Sequence, residues 1–188
     1  MRVSGALLCL LLCLAAFPLS AADGSAKYFA DLKLVDQDGN TVDLYSLMKG
    51  RTIVMHSFFA TCTASCPILT KTVAAVQERF GERLGKDLVL VSITVDPAND
   101  TPAKLKAYAR TMNARPGWYF LTGTREQVNA ALQKIGQYSE SRDGHTNVMI
   151  VGNEKTGLWK KAFGLAKTAD ILAVVDSVVN DDGRQPAK

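Results

Sequence analysis

Two stretches of this 188-residue chain, RTIVMHSFFA at 51–60 and DLVLVSITVD at 87–96, are dominated by β-branched and aromatic residues. Runs of that kind form buried strands, and a sheet built from them must be covered by other layers. The segment between them fits such a layer. Ile68, Val73, Val76 and Phe80 recur at helical spacing between Pro67 and Phe80, and Gly81 supplies a stop. TPAKLKAYARTMN (101–113) opens with Thr as N-cap and Pro at the first helical position. GWYFLTG (117–123) reads as a short strand, and TREQVNAALQKIG (124–136) as a helix capped by Thr124 and stopped by Gly136. After the polar loop QYSESRDG, a strand is predicted over 145–153, then the turn EKTG, a strand over 158–164 and a helix over 168–180.

The resulting order, β-α-β-α-β-α-β-β-α, describes one α/β domain. A short turn joins its last two strands, so they must run antiparallel. That is the order of a thioredoxin-like core. Ahead of it, LKLVDQDGNTVDL (32–44) alternates around Asp38-Gly39 and predicts an N-terminal β-hairpin extension, preceded by a short polar lead. The fold class is therefore α/β, thioredoxin-like, with the domain over residues 23–180 and a mobile polar tail over 181–188. With 47% hydrophobic residues the chain suffices for one well-buried domain. Its formal charge of +4 is spread without any basic run beyond Lys160-Lys161, which argues against nucleic acid as a partner.

Residues 1–22, MRVSGALLCLLLCLAAFPLSAA, carry one positive charge at Arg2, an apolar stretch and a small-residue end. This is the pattern of an export signal cleaved after Ala22; the alternative is an uncleaved anchor that tethers the domain to the inner membrane. Leu10-Leu11-Leu12 before Cys13 lacks the small residues of a lipoprotein site. Cys9 and Cys13 lie inside this segment, so the exported domain keeps Cys62 and Cys66 alone. An exported domain lies in an oxidising compartment, the periplasm, where a thiol couple needs a reason to exist.

The sequence FFATCTASCPILTKT (58–72) places those two cysteines four positions apart, where the first core strand gives way to a helix. A structural disulfide, a redox couple and a metal clamp are all compatible with the pair alone. Cys66 lies just before Pro67 at a helix start, where the helix dipole is expected to favour the thiolate. Of the two histidines, His56 sits inside a buried strand and reads as a hydrogen-bonded core residue. His145 follows Asp143-Gly144 at the sheet edge where the cysteines should lie, and is read as the first residue of a strand. Two thiolates and one imidazole make a soft site of low coordination number, the kind that suits copper(I).

In combination these residues resemble the Sco/SenC family of copper-binding assembly proteins. The resemblance rests on CTASC followed by Pro67, SITVDPANDTPAKLKAYA (92–109), WYFLTG (118–123) and GHTNVMIV (144–151). It implies copper, as Cu(I) and also Cu(II), held by Cys62, Cys66 and His145, with Asp96 near the metal. It also implies a copper-receiving client, the dinuclear copper site of cytochrome c oxidase subunit II being the family's example, and an upstream copper donor. Asp100 reads as a local turn residue ahead of the Thr101 cap. Thr63-Ala64-Ser65 departs from the acidic residue and proline common inside the family's cysteine loop. The rival reading is a periplasmic thiol–disulfide reductase in which Cys62 and Cys66 are the catalytic, redox-active pair. A peroxidase fits less well, because Phe59 stands where that chemistry's proline belongs.

Overall fold

A computed structural model describes residues 21–63 and 65–184; residues 1–20 and 185–188, which hold most of the predicted signal segment and half of the predicted tail, lie outside them. The two runs that opened the sequence reading become β3 (Thr52–Phe58) and β4 (Leu88–Thr94), and all seven residues of each are buried. Around them the sheet runs β5-β4-β3-β6-β7, with β5 at Trp118–Leu121, β6 at Val148–Asn153 and β7 at Leu158–Phe163. Strands β3, β4 and β5 are parallel, while β6 joins β3, and β7 joins β6, antiparallel. This is the thioredoxin-like arrangement expected from the element order.

Side-chain alternation along β3 and β4 feeds two cores. Val54, Phe58, Leu88 and Leu90 face α3 (Cys66–Arg79), α4 (Pro102–Thr111) and α6 (Thr168–Val179) through Leu69, Val73, Leu105, Ile171 and Val175. Ile53, Met55, Val89 and Val91 face α5 (Arg125–Lys134) and the N-terminal elements. Each such side chain, fully buried, contributes about 1.5–3 kcal/mol. The predicted caps are present: Thr101 accepts from the Lys104 amide, and Thr124 forms a reciprocal capping box with Gln127. Among the described residues no helix is long and apolar enough to cross a membrane.

The N-terminal hairpin forms as β1 (Lys33–Val35) and β2 (Thr41–Asp43), paired antiparallel. The polar lead is not irregular, however: Ala21–Tyr28 is a helix, α1, and Asp43 caps a five-residue helix α2 (Leu44–Met48). Phe29, directly after α1, and Leu44 and Met48 of α2 pack into the second core.

A second difference concerns the end of the sheet that carries the cysteines. Strand β6 begins at Val148, not at His145. Strands β3 and β6 pair from Thr52–Asn153 to Met55–Ile150 and then part. Continued, their register would set Ser57 against Val148. Instead the buried side chain of Gln137 lies between them: its Oε1 accepts from the Ser57 amide at 2.7 Å and its Nε2 donates to the Val148 carbonyl at 2.9 Å. With that rung occupied, residues 145–147 do not pair with β3; on the β7 side the Asn147 carbonyl still accepts from the Gly164 amide at 2.7 Å, and beyond it the chain leaves the sheet as a loop.

Replacing Gln137 by Leu removes both bonds and leaves a buried N–H and a buried C=O without partners. The expected cost is about 3 kcal/mol, a fall in Tm of about 6–12 °C for a domain of this size. Thermal unfolding followed by circular dichroism checks it; an unchanged Tm would mean that the strands close on each other directly.

Candidate metal centre

Cys66 is the first residue of α3 and is fully buried, with Pro67 next to it in the first turn. Its Sγ lies 3.3 Å from His145 Nε2, across 79 residues of sequence. His145 itself follows a 3-10 turn, Arg142–Gly144, in which Ser141 accepts from the Gly144 amide. The other ring nitrogen, Nδ1, is 2.8 Å from the Arg142 carbonyl. A carbonyl can only accept, so Nδ1 carries the proton and Nε2 presents its lone pair to the sulfur. That is the orientation a metal-ligating imidazole needs.

Three further residues hold this arrangement. The Phe59 ring meets the His145 ring edge-on at 5.5 Å between centroids, and the Arg142 guanidinium covers Phe59 at 4.7 Å. Arg142 Nη1 is 3.4 Å from Asp96 Oδ2. Asp96, buried at the end of β4, thus acts on His145 through Arg142, while it also accepts from Asn99 in its own turn. It therefore caps its own turn and also reaches, through Arg142, the segment that carries His145.

Asp100 does more than the sequence indicated. It is fully buried, and its carboxylate accepts from Thr94 Oγ1 and from the Ala60 amide, at the start of the cysteine loop. It therefore ties that loop to the β4–α4 turn, and burial raises its pKa. Gln137, Phe59 and Arg142 likewise escaped the sequence reading.

Cys62 is half-buried on the turn before α3, where its amide donates to the Phe59 carbonyl at 3.1 Å. Both cysteines are free thiols. The helix start does not make Cys66 a thiolate. Burial, and then the thiol of Cys62 beside it, push its pKa up to about 12, against smaller opposing contributions from the Phe59 and Cys66 backbone. Desolvation of a charged sulfur outweighs the helix dipole here. Among the described residues no three His, Cys, Asp or Glu side chains stand close enough to hold an ion without movement. Cys66 Sγ and His145 Nε2 face each other, and the thiol of Cys62 lies beside Cys66.

His56 takes no part in this set. It is fully buried; Ser92 Oγ lies 2.7 Å from its Nε2, Trp118 Nε1 donates to Ser92 Oγ at 3.0 Å, and His56 Nδ1 is 3.2 Å from the Ser57 carbonyl. It is the core histidine that its strand position suggested.

A family model described as SCO1/SenC matches residues 20–179. The protein SenC of Rhodobacter capsulatus is 29% identical over 160 residues, 85% of this chain and 71% of that protein. The mitochondrial SCO1 homolog 1 of Arabidopsis thaliana is 27% identical over 166 residues, 84% of this chain and 48% of that protein. The chain spans about half the length of several of the curated relatives it matches. Among solved structures, Arabidopsis thaliana ScoI with copper bound superposes with a TM-score of 0.63 at 25% identity, covering 77% of this chain and 93% of that one.

Burial lowers the His56 pKa from 6.5 to about 4, with the Ser57 carbonyl pulling it up and nearby His145 adding to the fall. A base whose folded pKa is depressed favours folding in its neutral form. The stability it confers is complete above about pH 6.5 and is lost as pH falls toward about 4. Urea midpoints are expected to decline by the equivalent of about 2–3 kcal/mol between pH 7.5 and 4.5. In His56→Gln that part of the decline should vanish; an equally steep profile in the variant would assign it to other groups.

Proposed function

The chain belongs to the SCO1/SenC family, and on that footing we propose that it is an exported, periplasmic copper carrier whose cargo is held by Cys62, Cys66 and His145. The observation that carries this reading is the Cys66–His145 contact, with Nε2 aimed at the sulfur because Nδ1 is fixed on the Arg142 carbonyl. Two sulfurs and one imidazole nitrogen are a donor set for Cu(I).

Loading conserves charge. Cu(I) binds as both thiols give up their protons, two protons are released per ion, and the three-coordinate site carries one net negative charge. Because the Cys66 thiol sits at about 12, its proton has to be displaced by the metal itself, so apparent affinity rises with pH across the neutral range. Three-coordination leaves a position for an incoming ligand. A client's own thiolate or imidazole can enter there, form a mixed complex and take the ion as Cys62 and Cys66 each regain a proton. The client proposed is a protein with a dinuclear copper site, as in cytochrome c oxidase subunit II, and loading requires an upstream donor.

An anaerobic Cu(I) titration of the reduced domain is expected to give one ion per chain. Cys62→Ser and Cys66→Ser should each abolish tight binding, and His145→Ala should weaken it by at least about tenfold. If copper binds weakly, or binds with no regard to His145, the thiol–disulfide reductase becomes the better reading. Two free thiols four residues apart favour that alternative, with half-buried Cys62 as the attacking sulfur.

Asp96→Asn tests the support of the ligand. Losing the carboxylate that pairs with Arg142 should loosen the His145 loop and cost about 10–100-fold in Cu(I) affinity, with the circular dichroism spectrum and the copper-to-chain ratio unchanged. Unchanged affinity would limit Asp96 to its own turn.

A further inference from the structure

On the sheet face opposite α3, a cavity of about 550 Å³ opens between α1, the C-terminal end of α5 and strands β6 and β7. The cysteine pair and His145 are absent from its lining. Its floor is apolar: Met55 is fully buried, and Phe29 and Ile150 are nearly so. Two aromatic rings wall it. Tyr28 stands half-exposed at the mouth, and Trp159 packs beside Phe29 at 5.9 Å. The seat of Trp159 is specific, for it lies flat on its cross-strand partner Gly152, where a Cβ would fall 2.2 Å from the ring. No other residue at 152 leaves the indole in that place.

The charges at the mouth have one sign. Lys134 and Lys161 both line the cavity, and no Asp or Glu does. Lys134 Nζ lies 4.4 Å from the Tyr28 ring centroid, and among the described residues neither lysine is in an ion pair. An apolar chamber with a few polar groups at its rim, in this range of volume, is the general form of a small-molecule site. Two ammonium groups over an apolar floor select a molecule with an apolar body and an anionic head.

We propose that this cavity binds one molecule of a single-chain anionic amphiphile, of the fatty-acid class, with its chain against Met55 and Ile150 and its head between Lys134 and Lys161. The site is independent of the metal centre and stands whether or not copper is the cargo there.

Calorimetric titration of the folded protein with dodecanoate, kept below its micelle concentration, tests it. One molecule per chain is expected. The double variant Lys134→Glu/Lys161→Glu should weaken binding tenfold or more, and dodecyltrimethylammonium, with the opposite head charge, should not bind the native protein. Gly24→Phe should remove binding, because a side chain at 24 meets nothing within 4 Å and projects from a helix that lines the cavity. Cys66→Ser should bind as the native chain does. Absence of binding, binding indifferent to the lysines or to Gly24→Phe, or equal binding of the cationic amphiphile would each overturn the proposal. So would association with phosphatidylglycerol vesicles in the absence of any uptake of monomeric dodecanoate, which would make the face a membrane contact.

Discussion

A single side-chain amide decides where this sheet ends. Gln137 stands between the Ser57 amide and the Val148 carbonyl, two groups that the register of β3 and β6 would otherwise bring together. Below this rung the strands are zipped; above it they separate. The chain leaving β3 becomes the cysteine loop, and the chain entering β6 is the segment that carries His145. Both arms of the candidate centre therefore start from the same opening, and their spacing is set by the width of one carboxamide. The loops are then braced individually, the first by Asp100 on the Ala60 amide and the second by Asp96 on Arg142.

Two buried groups near this opening are kept uncharged. Cys66 is a thiol and His56 a neutral imidazole for the same reason, that burial removes water from the charged form of each. The charged pair Asp96–Arg142 lies at the margin, where Arg142 reaches solvent. A neutral interior lets the centre exist before any metal arrives, since an unpaired thiolate in that position would be costly. For the proposed cargo, the negative charge of the two sulfurs appears only together with the positive charge of the ion.

Much of the fold could be read from the chain because its signals are local. The β-branched runs of β3 and β4, the Thr-Pro start of α4, the Thr124 capping box and the Asp38-Gly39 turn all act within a few residues. Helix α1 was missed because AADGSAKY has no apolar period, and α2 because five residues are too few to show one. His145 was given to a strand because HTNVMIV reads as a continuous run; strand ends are fixed by partners, and Gln137 had taken that place. Asp100 and Gln137 bind groups 40 and 80 residues away. No local pattern marks such a residue. The expectation of a Cys66 thiolate failed on burial, a property of the closed fold that no spacing encodes.

The distance in sequence between Cys66 and His145 bears on when the centre comes into being. The two thiols are neighbours in any state of the chain, folded or not. The imidazole joins them only after β6 has been laid against β3, a pairing that must wait for the whole β4–α5 segment to be made and to collapse. A partly folded molecule thus offers a dithiol, while a finished one offers a mixed sulfur–nitrogen set. For the proposed cargo, the donor set at this position is thus a record of how far folding has gone, and an ion that prefers the mixed set would bind complete molecules better than incomplete ones.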